Sequence, residues 1–144
     1  MDDKVLICQT DFSIWPQVIA LSPDGKYVAV TEDKKCVLGK IETDPENEEK
    51  VLISLSRTKE KINEEMVLFM RFARFGDKGL RLVTTSPDTS IMISDLELEP
   101  VHTFRPQDKT EIHDHWVTMT EWHEDLGMML SYSHDKTFSM VLFD

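Results

Sequence analysis

Seven residues able to bind a metal ion or move a proton crowd into one stretch: His113, Asp114, His115, His123, Glu124, Asp125 and His134. Imidazole nitrogens and carboxylate oxygens are the donors of a zinc site, and a site with one open position would activate water for hydrolysis. Residues two apart on an extended chain share a face. His113 and His115 would then present together, and His123 would add a third ligand. This cluster defines one candidate activity, a metal-dependent hydrolase. Its spacings match no established metal motif, and the same residues also read as polar turns around one structural histidine.

Other chemistries find less support. Ser131 and Ser133 lack the flanking glycines of a nucleophile elbow. Cys8 and Cys36 stand in apolar, strand-like runs, where a thiol is buried and inert. Gly76 and Gly79 bracket Asp77-Lys78 as a hairpin turn, and no Lys-Ser or Lys-Thr follows to make a phosphate loop. The acidic run over residues 42–49 holds Pro45 and no central glycine, unlike a calcium loop, and is predicted to be a solvated loop. Trp15, Trp116 and Trp122 suit packing between sheets or anchoring of a partner. No catalytic, cofactor-binding or metal residue is assigned on these grounds.

The surroundings of these residues are acidic. The chain has 144 residues and a net charge of −11, with 40% hydrophobic and 30% charged residues. That composition is globular. Its sign argues against direct nucleic-acid binding, which rests on basic residues neutralising phosphate. No run reaches the length of an apolar membrane span, and the opening Met1-Asp2-Asp3-Lys4 has no basic start of a secretory leader. With two cysteines and no disulfide framework, a reducing compartment is expected, cytoplasmic or nuclear.

The elements that must position these side chains read as short strands. Apolar or alternating runs at 18–21, 27–31, 36–41, 51–55, 80–85, 90–95 and 101–104 are bounded by turn residues. Ser22-Pro23-Asp24-Gly25 and Ser86-Pro87-Asp88-Thr89 carry turn chemistry. Residues 66–75 alternate loosely around Phe69, Phe72 and Phe75. Residues 57–65 are charged and read as a long connection with at most one helical turn. Over 116–122, Trp116, Thr118, Thr120 and Trp122 are expected on one face, with Val117, Met119 and Glu121 on the other. The final stretch runs Met-Met-Leu-Ser-Tyr-Ser-His, then Asp135-Lys136-Thr137, then Phe-Ser-Met-Val-Leu-Phe-Asp.

The turns recur. Asp33, Asp88 and Asp135 mark corresponding turns, at periods of roughly 50 residues, which suit four-stranded propeller blades lengthened by insertions. Leu130-Ser131-Tyr132-Ser133-His134-Asp135-Lys136-Thr137 resembles the strand–turn–strand core of the WD-repeat family. Val83-Thr84-Thr85-Ser86-Pro87-Asp88-Thr89-Ser90, running on to Ile93-Ser94-Asp95, resembles it a second time. Ser94 and Phe143 stand where the family usually has Trp, the first unit lacks the Trp-Asp ending, and the repeat-opening Gly-His is reduced to His113 or His115.

The resemblance implies an all-β, propeller-type fold of roughly three four-stranded antiparallel blades. It forms a single partial domain with units at about 15–56, 66–104 and 115–144, and residues 4–8 would be a closing strand. Asp33, Asp88 and Asp135 would be structural turn anchors. It further implies a non-catalytic scaffold or adaptor with protein partners, through self-association or within a larger complex. The alternatives are the His113/His115/His123 hydrolase and a non-catalytic subunit of an RNA-modifying complex.

Overall fold

In the computed structural model, residues 10–143 are described; the strand expected at 4–8 lies outside them. Turn chemistry cuts the chain into hairpins. At the first, the Ser22 hydroxyl and Asp24 carboxylate lie 2.6 Å apart, the Tyr27 N–H donates to Ser22 Oγ at 2.9 Å, and Gly25 takes φ +70°, a conformation glycine adopts without a Cβ clash. The strands around such turns form three antiparallel sheets, each with neighbours in chain order.

Sheet 1 holds β1 (Val18–Leu21), β2 (Tyr27–Glu32), β3 (Lys35–Asp44) and β4 (Asn47–Lys59). Sheet 2 holds β5 (Phe69–Arg74), β6 (Leu80–Thr85), β7 (Ile91–Ser94) and β8 (Pro100–Phe104). Sheet 3 holds β9 (Val117–His123), β10 (Met128–Ser133) and β11 (Phe138–Leu142). The third sheet thus has three strands among the described residues.

Successive side chains on a strand point to opposite faces, so each sheet has a leading face, toward the next sheet along the chain, and a trailing face. Ala20, Ala29, Cys36 and Leu38 on the leading face of sheet 1 pack with Met70, Phe72 and Leu82 on the trailing face of sheet 2. Ala73, Val83, Ile91 and Ile93 on the leading face of sheet 2 pack with Val117 and Met129 of sheet 3. The hydrophobic core is therefore two inter-sheet layers, because a single sheet cannot bury both of its faces.

Three expectations fail locally. Residues 42–49 are not a free loop: β3 continues to Asp44 and β4 starts at Asn47, leaving only Pro45 and Glu46 to turn. This hairpin projects into solvent, where paired backbone tolerates charge; Lys40 bonds Glu42 at 2.5 Å and Lys50 lies 3.7 Å from Asp44. Nor is 57–65 entirely a connection, since Arg57 and Lys59 finish β4 opposite Leu38 and Cys36. Their charges reach the next sheet, Arg57 to Glu97 and Lys59 to Glu99 at 2.9 Å. Finally, the ladder skips Thr118: Val117 pairs with Ser133 and Met119 with Tyr132. The bulge at Thr118 moves Val117 onto the buried face with Thr120 and Trp122, reversing its expected side.

Candidate functional site

The histidine stretch does not assemble as a metal cluster. Residues 113–115 form no strand, and His113 is buried while His115 is exposed. His115 Nδ1 instead accepts the Trp116 N–H at 2.8 Å, and its ring lies beside His134, with centroids 5.7 Å apart. His123 stands at the far end of β9, about 20 Å along an extended strand from its start. Among the described residues, no three His, Cys, Asp or Glu side chains are placed to hold a metal ion. The expectation of a shared His113/His115 face required an extended segment, and the chain bends there instead.

His113 builds a different arrangement. Its Nδ1 lies 2.9 Å from Asp135 Oδ2 and 3.1 Å from Thr137 Oγ1, and its Nε2 lies 2.8 Å from Ser131 Oγ. A carboxylate only accepts, so in the neutral ring Nδ1 carries the proton and Nε2 accepts from the Ser131 hydroxyl. Serine, histidine and aspartate thus stand in the order of a nucleophilic triad. Two of the three are buried. His113 and Ser131 are each 2% exposed, and β10 lies between β9 and β11.

Asp135 is occupied as well. Its Oδ1 accepts the Thr137 hydroxyl at 2.6 Å and the Thr137 N–H at 2.8 Å, and its Oδ2 accepts the Asp114 N–H at 3.1 Å. The hydrogen bonds from Thr137, with those from His113 and Asp114, hold its carboxyl well below the usual carboxylate range. Ser133 Oγ accepts the Asp135 N–H at 3.1 Å and donates to His115 O at 3.1 Å. The whole group pins the β10–β11 turn to the segment that enters β9.

Sheet 2 repeats the arrangement with different residue types. The Thr84 hydroxyl donates to Asn63 Oδ1 at 2.7 Å, and Asn63 Nδ2 donates to Ser90 Oγ at 2.9 Å. Asp88 Oδ1 accepts the Ser90 N–H at 2.8 Å, and its Oδ2 accepts the Glu64 and Glu65 N–H groups at 2.9 and 3.1 Å. Asp33 sits in a shorter turn, at φ +52°. There the backbone makes the ties: its N–H donates to Gln17 Oε1 at 2.7 Å, and its C=O accepts the Val67 N–H at 2.8 Å.

Sequence reasoning singled out the three aspartates and missed the buried network beside two of them, in which Asn63 bridges Thr84 and Ser90 and His113 bridges Ser131 and Thr137. A local signal was present. Ile62-Asn63-Glu64 and Ile112-His113-Asp114 each place an apolar residue, a hydrogen-bonding side chain and an acid shortly before the first strand of a sheet.

The remaining candidates fall at the surface or between sheets. Cys36 is buried, and burial pushes its thiol up to about 12, against nucleophilic use. Trp122 stacks on Phe75 with centroids 4.0 Å apart and donates its indole N–H to Arg74 O at 2.8 Å. Trp116 is exposed and stacks on His134 at 5.5 Å, while Trp15 is largely in solvent. No helix among the described residues is long and apolar enough to cross a membrane.

No protein-family model matches the chain, and no curated protein matches it in sequence. Among solved structures it is similar to Sqt1 of Chaetomium thermophilum, a WD40 β-propeller protein, at a TM-score of 0.69 and 13% identity. The match covers 87% of this chain and 30% of the Sqt1 chain, so this chain spans less than a third of that protein's length. At that identity the likeness is one of fold. The chain is all-β, and its antiparallel sheets of four, four and three strands correspond to part of a WD40 propeller.

Proposed function

We propose that this chain is a non-catalytic scaffold or adaptor of WD type, a partial propeller domain that works through protein partners in the cytoplasm or nucleus. The observation that carries this reading is the burial of His113 and Ser131 in the Ser131–His113–Asp135 line. The bonds of these residues, the ones best ordered for chemistry, are used to fix a turn. What faces solvent instead is apolar and aromatic surface, including Trp15, Trp116 and Tyr132. Large side chains of this kind anchor protein interfaces when they fill pockets on a partner. In this reading the units near 15–56, 66–104 and 115–144 serve as repeats, and Asp33, Asp88 and Asp135 act as turn anchors.

The test combines metal content with binding. Purified protein is expected to hold no stoichiometric zinc by mass spectrometry and to hydrolyse no ester, amide or phosphoester in a substrate panel. A partner identified by affinity capture, then purified, is expected to bind in calorimetry and to bind more weakly to Trp116→Ala. Stoichiometric zinc that disappears in a His113/His115 double substitution would overturn the reading.

A further inference from the structure

The register of the three sheets places Gly39, Ser94 and Val141 at one equivalent position. Each lies on the third strand of its sheet, opposite Val28, Leu82 and Met129 of the second. The three sheets fill the space over this position differently. In sheet 1 the residue has no side chain, and neighbours take its place: Ile53 Cγ2 stands 2.9 Å, and the Phe12 ring 3.3 Å, from where a Cβ would be. In sheet 3 Val141 itself packs against the core. In sheet 2 the small Ser94 borders a cavity of about 160 Å³.

This cavity lies against β7 and β8, beside the segment that joins sheets 1 and 2. Ile62, Met92, Leu98 and Pro100 give it apolar walls, and the buried polar residues Asn63, Ser90 and Ser94 line it too. Asn63 is bonded to Thr84 and to Ser90. Ser94 is 1% exposed, and among the described residues its hydroxyl makes no hydrogen bond. A buried hydroxyl without a partner is costly, so a ligand that supplies one is favoured. Charge does not select an ion here. Lys59, Lys61 and Arg105 border the cavity, but each is held by an acid, Glu99 at 2.9 Å, Glu64 at 2.5 Å and Asp108 at 2.6 Å. The Asp88 carboxylate accepts three backbone N–H groups.

We infer that this cavity is a binding site for one neutral aromatic ring carrying an N–H or O–H, of the indole or phenol class. Its size sets the ring count. An engineered protein cavity of about 150 Å³ holds benzene, whereas pockets for larger ligands begin near about 300 Å³. The apolar walls take the ring, and the Ser94 hydroxyl accepts its polar hydrogen. Sheet 1 supplies an internal parallel, because an aromatic ring, that of Phe12, already sits over the equivalent Gly39. An aliphatic ligand of the same size would leave Ser94 unpaired, and an ion would compete with acids and bases that already hold one another. A free indole or phenol and the side chain of Trp or Tyr present the same chemistry, and the test separates these two sources. The site goes beyond the scaffold reading, because it assigns a ligand class to a cavity remote from Trp116.

Titration of the full chain with indole and with phenol, followed by amide NMR shifts, tests the site. Saturable shifts at Asn63, Ser90 and Ser94 are expected, with a Kd of about 1 mM. Ser94→Ala removes the acceptor and should weaken indole and phenol at least about threefold, the scale of one hydrogen bond, while toluene binds as to the parent. Ser94→Phe fills the cavity with a ring of the chain's own and should abolish binding of all three, with circular dichroism that of the parent; Ser94→Leu replaces it if it unfolds. N-acetyltryptophanamide and N-acetyltyrosinamide carry the same rings on a backbone. Binding by these amides assigns the site to a partner's side chain, and binding by the free compounds alone assigns it to a small molecule. No saturable shift at these residues, or indole binding equally to parent and Ser94→Phe, would overturn the site. Indole binding unchanged by Ser94→Ala would overturn the role given to the hydroxyl.

Discussion

Asn63 holds in sheet 2 the place that His113 holds in sheet 3. Each bridges a buried hydroxyl on the second strand of its sheet, Thr84 or Ser131, to a hydroxyl beside the following turn, Ser90 or Thr137. The residue after each donates its N–H to the turn aspartate, Asp88 or Asp135. An amide and an imidazole share a useful property: each presents an acceptor and a donor in opposite directions. The two sheets therefore solve the same problem, tying an incoming segment to a distant turn, with chemically different side chains.

This interchange predicts an asymmetry at position 113. His113→Ala leaves the buried Ser131 hydroxyl without its partner, and a buried polar group left unsatisfied costs about 1–3 kcal/mol. His113→Asn retains a donor and an acceptor, and its cost should be less than half that of alanine. Urea midpoints of the two variants at pH 7 check the prediction; equal losses would contradict it.

The Asp135 carboxyl sets an acid-sensitive contribution. Its folded value is depressed, chiefly by the Thr137 hydroxyl and N–H, whereas an unfolded aspartate titrates near about 3.9. The folded state therefore holds its carboxylate more firmly than the unfolded chain does. Its stabilisation is complete above the unfolded value and is lost as pH falls from there toward the folded one. Asp135→Asn should lower stability at pH 7 and flatten the acid limb, so that parent and variant melting temperatures converge between about pH 4 and 2. Parallel curves across that range would show that Asp135 carries no such linkage.

How much of this was legible depended on whether a feature was local. β6 was readable because Leu80, Leu82 and Thr84 alternate against Arg81, Val83 and Thr85 between two turns, and the Asp24-Gly25 turn carries its mechanism in adjacent residues. The end of β4 was hidden because Arg57 and Lys59 look solvated, yet each pairs with an acid 40 residues away. The bulge at Thr118 leaves no mark in an alternating pattern. The buried networks were hidden for two reasons: their key residue changes type between sheets, and its separation from its second-strand partner changes from 21 to 18 residues. The resemblance reached the turn aspartates, and only the packed structure linked them to Asn63 and His113.

Cys36 offers a chemical readout of the first inter-sheet layer. Its thiol is buried and raised to about 12, so almost none is thiolate at pH 8. A free cysteine near about 8.5 is a substantial fraction thiolate there. Alkylation of Cys36 in the native protein, followed by peptide mass mapping, should be at least about a hundredfold slower than in denaturant. Rapid labelling under native conditions would mean that sheets 1 and 2 separate readily.

Two glycines at positive φ separate backbone strain from crowding. Gly25 has φ +70° with open space where a Cβ would stand, whereas Gly127 has φ +55° and a Cβ there would lie 2.8 Å from the Phe143 backbone oxygen. Gly25→Ala should cost only the left-handed penalty, about 1–2 kcal/mol. Gly127→Ala adds a backbone clash, and the chain there cannot move freely because the Phe143 N–H donates to Gly127 O at 2.8 Å. Relieving the clash would pull Phe143 away from Phe75, its edge-to-face partner at 5.1 Å. Gly127→Ala should therefore cost at least about 1 kcal/mol more than Gly25→Ala, in the range of overpacked sites. It should also change the near-ultraviolet signal of Trp122, which stacks on the same Phe75 ring. Equal losses from the two substitutions, with the Trp122 signal unchanged, would show that the Gly127–Phe143 contact constrains neither the turn nor the aromatic cluster.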